Sequence, residues 1–428
     1  MKPQTFLFNS ILKPDSLERF IPLQEGLRIW AKDIFNSKEP SKQIKLIQKI
    51  AQVYKKSGLE FLQTIPPNTI LILYDEKTKR LLIKTDEIGH SHIYYRLFGN
   101  KLFFSGNLRL LATLALPKLR ITALSAYMRL GYIPGDQTPF QGIYKIPPCM
   151  YLYFEGRNIS IRPYKSILLD MPQLTPNKFH KHISDEFDHL FKPISEKEIG
   201  IMISGGVDST FLVNLACKNR CKVHTFSLAN NNPNSAIFEN SKIVSRYFKT
   251  KHSEIRVSLN AYIKNFPKIY ANLDEPLFDL DLPIIDNFFN SLNGYPEQIL
   301  HGFGSDEAFG GAPAVFLRNY KRACRVFSIK NPTGSLLNRA ALFSLQNRAP
   351  QELNAHHKIA FLRGINMLFP YLSYGIVKGG LALPACYKLK NGIDKYLFRK
   401  IISASIPKKM VFKKKASTGI PELWRKTV

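Results

Sequence analysis

The sequence predicts an α/β protein in two parts, a strand-rich first part and a second part built of parallel βαβ units. Three observations carry this. Up to about residue 165, short apolar and β-branched runs are separated by turn-forming stretches. From about residue 180, strand-like and helix-like segments alternate. At 203–209 the apolar run IGIM passes through ISGGVDS into TFLVNLACKN, a strand handing over to a helix through adjacent glycines.

In chain order, TILILYD (69–75), LLIKT (81–85) and KLFFS (101–105) read as adjacent strands, and CMYLYF (149–154) and ISIRP (159–163) repeat the habit around the turn EGRN. The segment PYKSILLDMPQLTPNK (163–178), with three prolines, is the expected linker, which gives domains at 1–165 and 179–428. Beyond it, EIGIMI, CKVHTFSL and HSEIRVS alternate as strands with STFLVNLACKN and IFENSKIVSRYF as helices. Ligands are expected at the carboxyl ends of such parallel strands.

Composition narrows the function classes. At 428 residues, 45% of them apolar, the chain can bury two or three cores. No apolar stretch reaches spanning length, and the N-terminus lacks the order of a signal peptide, so a cytoplasmic location without a membrane span is expected. The five scattered cysteines fit reduced thiols, and Cys217 and Cys221 find no second pair for zinc. His180, His182, His356 and His357 read as surface or packing residues. The formal charge of +29 calls for an anionic partner, and residues 388–428 hold twelve Lys/Arg against two Asp/Glu. No aromatic-interleaved basic ladder marks a nucleic-acid reader, so no nucleic-acid partner is expected.

The loop itself speaks for phosphate. Gly205 and Gly206 permit a backbone approach that a side chain would block, so amides point at an anion, and the following helix adds its positive end. No lysine follows the glycines, unlike the common P-loop, and Asp208 stands inside the turn. An aspartate beside phosphates points to Mg²⁺ between them. The plainer alternative is a Gly-rich turn with Asp208 as helix cap.

Further segments join it: LYDEKTKRLLIKTDEIGHSHIYY, KLFFSGNLRLLA and YMRLGYIPGDQTPFQGIYKIPPCMYL in the first half, and TFSLA, LDEPLFDLDLP, HGFGSDEAFGG and FKKKASTGIP in the second. Together these resemble the asparagine synthetase family, from about Tyr54 to Pro421. The resemblance implies a degenerate, N-terminal Ntn-hydrolase-like sandwich (a glutamine amidotransferase-like domain) followed by a parallel-sheet ATP pyrophosphatase domain. It implies ATP and Mg²⁺, with Asp208 and Asp306 as metal ligands and Ser204, Gly205, Gly206 and Ser209 as donors to the departing pyrophosphate. Ser227 and Leu228 of TFSLA, and Gly302, Phe303, Gly304 and Ser305 of HGFGSD, belong to the same nucleotide site, and Asp279 is expected to face it. One of Lys413, Lys414 and Lys415 is expected to stabilise amide formation, Lys415 being the first choice and a basic surface run the alternative. For Asp274, Glu275 and Asp279 the alternative is a solvated acidic cluster at a helix start.

The chain also departs from that family. Glutamine-using members carry a cysteine after the initiator methionine, where Lys2 stands here, so no glutaminase reaction is expected. The opening strands before about Gln48 are hard to find. Between the glycines of HGFGSD, asparagine synthetases carry an acid and β-lactam synthetases a tyrosine, against Phe303 here. Either another group such as Glu352 deprotonates the amine, or it arrives neutral. GINMLFPYLS (364–373) replaces the family's charged GIEVRVPFLD, which either reshapes an acceptor pocket or reflects core packing. An enzyme that activates a carboxylate without making ammonia finds its amine on the same substrate. The expectation is therefore the lasso peptide cyclase branch: a precursor core peptide as substrate, its Asp or Glu side chain joined to its N-terminal amine, and a leader peptidase as partner. The alternatives are an ammonia-dependent asparagine synthetase or a β-lactam synthetase-like enzyme.

Overall fold

A computed structural model describes residues 21–23, 26–35, 40–165, 172–230, 235–292, 296–327 and 335–413. They form two compact units. Unit 1 is Met1–Leu168 with Asp274–Leu277 and Phe343–Asn354, and unit 2 is the remainder.

In unit 1 the strands are β1 (Ile21–Leu23), β2 (Leu27–Asp33), β3 (Thr69–Asp75), β4 (Arg80–Lys84), β5 (Tyr94–Phe98), β6 (Lys101–Ser105), β7 (Ile143–Lys145), β8 (Met150–Glu155) and β9 (Asn158–Pro163), and the helices are α1 (Pro40–Ser57), α2 (Leu108–Thr113) and α3 (Ile121–Leu130). Six strands make one antiparallel sheet in the order β1-β2-β3-β4-β8-β9, and β6-β5-β7 make another. Side chains alternate across the larger sheet, as the pleat demands. Ile29, Leu71, Leu73 and Leu82 pack under Ile47 and Ile50 of α1, while Trp30, Ile70, Ile72 and Ile83 face Leu102 and Phe104 of the smaller sheet. Covered on both faces, β3 needs no polar alternation, which is why TILILYD reads as a continuous apolar run. β1 and β2 supply opening strands that sequence patterning did not reveal: β1 has only three residues, and β2 is interrupted by Arg28 and Lys32.

Unit 2 opens with α4 (Pro176–Phe191), N-capped by Thr175 with Pro176 in the first turn. Then follow β10 (Glu198–Met202), α5 (Val207–Lys218), β11 (Lys222–Asn230), α6 (Ala236–Phe248), β12 (Lys251–Val257), α7 (Leu259–Asn272) and α8 (Leu282–Asn290). Next come β13 (Gln298–Leu300), α9 (Ser305–Phe309), α10 (Pro313–Phe327), α11 (Leu336–Phe361) and β14 (Asn366–Leu368), and last α12 (Tyr374–Ala382), α13 (Ala385–Lys388), α14 (Tyr396–Ile402) and α15 (Lys408–Val411). The five strands pair in parallel in the order β12-β11-β10-β13-β14. The chain runs from β10 outward through β11 to β12, then returns to β10's other side as β13. The winding therefore reverses between β10 and β13, and a crevice is expected outside the carboxyl ends of those two strands.

GINMLFPYLS forms this sheet's edge and the turn after it. Met367, Leu368, Phe369, Tyr371 and Leu372 are buried, and Ser373 caps α12 by accepting from the Ile376 amide at 3.4 Å. Its apolar residues are core residues of unit 2. No helix among the described residues is long and apolar enough to cross a membrane. The linker segment 163–178 lies partly outside the described residues.

Candidate active site

Loops from the carboxyl ends of β10 and β13 meet at the reversal. The first is ordered by its own hydroxyls: the Ser204 amide donates to Ser209 Oγ at 3.3 Å, and Ser209 Oγ and Thr210 Oγ1 donate to the Gly206 carbonyl at 3.3 and 2.7 Å. Gly205 has φ +70°, and a Cβ there would stand 2.3 Å from Cβ of Asn240 on α6. Glycine is required on both counts. Gly206 is the N-cap of α5, which begins at Val207, so Asp208 lies in the first turn, at the positive end of the helix.

The second loop runs from His301 to Gly304. Its Gly302 lies against Asp208, since a Cβ there would meet the aspartate's Cβ at 3.4 Å. Gly304 has φ +93° and sits over Leu372. Ser305 and Asp306 then begin α9.

Between the two loops lies Lys395, at the start of α14. Its ammonium donates to Asp208 Oδ1 at 2.6 Å, to Ser305 Oγ at 2.9 Å and to Asp306 Oδ1 at 2.5 Å. Burial works against this charge, but Asp208 and Asp306 outweigh it and raise the lysine above its ordinary range. The Tyr371 hydroxyl donates to the Asp208 carbonyl at 2.8 Å and holds that turn from below. Sequence reasoning missed Lys395. Nothing in NGIDKYLFRK marks it apart from the local basic excess, because its role depends on burial between residues far away in the chain.

Two carboxylates from facing loops converging on one cation fit a Mg²⁺ site of the kind that takes one or two protein carboxylates and completes its shell with phosphate oxygens and water. Asp208 and Asp306 would hold the ion, with Lys395 free to turn to the phosphates. Among the described residues no group of three or more His, Cys, Asp or Glu gathers elsewhere as a metal site.

The structure places the other expected residues as follows. Lys413 donates through Nζ to Asn240 Oδ1, beside the Gly205 turn. Lys414 and Lys415, like Lys2, lie outside the described residues. Ser227 is fully buried on β11, with its hydroxyl against His252 Nε2 at 3.2 Å. Leu228 packs with Val257, Tyr262 and Ile284. Asp279 accepts from the Asp281 amide at 2.9 Å ahead of α8. Phe303 lies edge-on to His356 and Phe369, and its amide donates to His301 Nδ1 at 3.2 Å. His356 is buried, with neither ring nitrogen hydrogen-bonded among the described residues, and burial pushes it down to about 4.

Glu352 belongs to unit 1, where it accepts from Arg348 Nε at 2.7 Å. Asp274 and Glu275 also belong to unit 1 and are buried rather than solvated. Asp274 accepts from the Leu108 amide at 3.2 Å. Glu275 accepts from Lys145 Nζ at 2.7 Å and from the Tyr94 hydroxyl at 2.9 Å, with His92 Nδ1 at 3.3 Å. Burial opposes its charge, but Lys145 and His92 prevail and hold it at about 2.

Residues 192–423 match the asparagine synthase family, and residues 48–165 match the glutamine amidotransferase domain. A putative glutamine-hydrolyzing asparagine synthetase 2 of Methanocaldococcus jannaschii is 25% identical over 70% of this chain and 61% of its own length. The glutamine-hydrolyzing asparagine synthetase 1 of Bacillus subtilis is 23% identical over 53% of this chain and 36% of its own. The carboxyethyl-arginine beta-lactam-synthase of Streptomyces clavuligerus is 23% identical over 49% of this chain and 38% of its own. The chain thus spans about three fifths of the length of the first relative and less of the other two. The asparagine synthase match alone takes in more than half of the sequence and includes both loops that meet at Lys395, so the chain belongs to the asparagine synthase family.

Proposed function

We propose that this protein is an ATP-dependent, AMP-forming amide ligase that closes a peptide ring, joining an Asp or Glu side chain of a precursor peptide to the peptide's own N-terminal amine. The observation that carries the reading is the pairing of an intact activation site, Asp208–Lys395–Asp306, with an aromatic wall of Phe303, His356 and Phe369 beside it. Such a wall offers no carboxylate to hold ammonium and suits an amine carried on a larger organic group.

A carboxylate oxygen of the substrate attacks the α-phosphorus of ATP, the bond to the β-phosphate oxygen breaks, and pyrophosphate leaves. The Gly205 and Gly206 amides and the start of α5 would receive that leaving group, the Ser204 amide being bonded to Ser209 Oγ within the loop. Asp208 and Asp306 would hold Mg²⁺, which would supply neutralisation of phosphate charge. The amine then attacks the acyl carbon, AMP departs, and the amine's proton passes to solvent or to a neighbouring base. Lys413, which donates to Asn240 beside the Gly205 turn, would offset the charge developing on the acyl oxygen and the phosphate.

Cys149 supports a glutaminase-free reading. It is the only cysteine in the sequence of unit 1, it is buried, and its thiol donates to the Glu87 carbonyl. A free N-terminal amine requires removal of a leader, so a peptidase acts with or before this enzyme. Incubation of a precursor peptide with that peptidase, this protein and Mg-ATP should yield AMP, pyrophosphate and a core peptide lighter by one water, about 18 Da by stoichiometry, that resists carboxypeptidase. ADP as product would refute the activation step. A peptide that stays linear while aspartate and ammonium give asparagine would replace ring closure with the ammonia-dependent reading.

A further inference from the structure

Helix α10 leaves the activation site carrying an array of cations. It begins two residues after Gly311, where a Cβ would fall 2.0 Å from Asp306 Oδ1 and 2.3 Å from Lys395 Cε. The root of the helix therefore lies directly against the carboxylate–lysine cluster. One face of the helix is anchored, with Tyr320 and Ala323 buried. The opposite face presents Arg318, Lys321, Arg322 and Arg325, all exposed and spaced i, i+3, i+4 and i+7, the spacing of a single helical face. The helix contains no acidic residue, and none of these four cations is hydrogen-bonded or ion-paired among the described residues.

Four like charges on adjacent turns repel one another, and among the described residues none supplies them a counter-charge. We propose that this face seats an acidic stretch of the polypeptide substrate, so that α10 draws in a peptide whose carboxylate is activated at the helix's root. This rests on the reading of the site as one that activates a peptide carboxylate. A helix rises about 1.5 Å per residue, so the four cations stand about 8 to 18 Å along α10 from its first residue. An extended peptide advances about 3.3 Å per residue, which places the matching acids about two to six residues from the activated one. A nucleic acid fits this face less well: strands of that kind are held by many phosphate contacts and by stacking aromatics, and the aromatic that falls between these positions, Tyr320, is buried on the anchored face and offers no ring to stack on.

The test uses the full-length protein and three fluorescein-labelled probes: a Gly/Ser peptide with four glutamates, the same peptide with four glutamines, and a thymidine oligonucleotide of similar length. Fluorescence anisotropy should show the glutamate peptide bound about tenfold tighter than its glutamine twin, with the preference fading as salt rises. R318E/R322E should erase the preference. K178E/K181E, an equal charge change on the exposed side of α4, should keep it, and both variants should match the wild-type circular dichroism spectrum. Equal binding of the two peptides, an equal loss in K178E/K181E, or tighter binding of the oligonucleotide would each overturn the assignment. Because binding requires no turnover, those results leave ring closure to its own mass measurement, and a protein that prefers the acidic peptide but closes no ring overturns the ring-closure reading alone.

Discussion

Each unit buries a lysine against carboxylate, and the two clusters are built to opposite ends. In unit 2 one lysine serves two carboxylates: Asp208 and Asp306 share Lys395, and their side chains remain 17% and 23% exposed. In unit 1 one carboxylate serves three donors: Glu275 takes Lys145, Tyr94 and His92, and the Lys145–Glu275 pair is 6% and 4% exposed. The first cluster carries one more negative charge than its lysine cancels, which a metal ion would offset. The second is neutral as a pair and closed to water. Identical chemistry thus separates a binding site from a brace, and what distinguishes them is the ratio of acids to bases and the access of solvent.

Four measurements sharpen or break this contrast. The largest effect is expected at the open cluster: Asp208→Asn with Asp306→Asn should lower AMP formation by about a thousandfold or more while the melting curve stays near wild type. A collapse in stability instead would make that cluster a brace as well.

Glu275→Gln should do the reverse. Breaking a buried pair strands Lys145, so urea unfolding should report a loss of about 3–5 kcal/mol, with turnover of the folded fraction retained. The acid limb follows the same logic. A carboxyl held at about 2 in the fold and near 4.3 when unfolded stabilises above the unfolded value, and that contribution drains away as pH falls from about 5 towards 2. Glu275→Gln should flatten this limb.

Gly205→Ala tests the cradle of the open site. A left-handed backbone and the close approach of Asn240 predict about 1–3 kcal/mol of strain, together with weaker nucleotide binding by calorimetry. If the alanine variant binds ATP like wild type, the loop does not depend on that turn.

The smallest effect, with the opposite sign, is expected at Lys388. This buried lysine has no hydrogen-bond partner among the described residues, and burial alone pushes it down to about 7. Its folded value lies below its unfolded one, near 10.4, so wild-type stability should rise with pH between about 7 and 10. Lys388→Met should remove that slope and hold or raise the melting temperature at pH 7. A destabilised Lys388→Met variant would show that the amine has a partner in solution.

Local chemistry made much of this legible beforehand. The apolar run at 69–75 is β3, KLFFS is β6, and the alternation from 198 to 257 yields β10, α5, β11, α6 and β12, because each segment carries its own periodicity and its own turn residues. ISGGVDS announced a strand-to-helix turn because few other residues tolerate its backbone. The three-residue strands β13 and β14 were not legible, since segments that short acquire strand character only by pairing with β10 and with each other.

The sequence by itself determined the type and order of the longer elements and the glycine-rich strand-to-helix turn at 203–209, with Asp208 inside it. Tertiary structure alone decided which lysine stands between Asp208 and Asp306, that Asp274 and Glu275 belong to the buried interior of unit 1, and that α10 turns four cations outward with no counter-charge among the described residues. The reason is range. Dihedral preference and periodicity act over a few residues and are written in them, whereas burial and Coulomb pairing depend on which distant segments the fold brings together, and Lys395 and Asp208 are 187 positions apart.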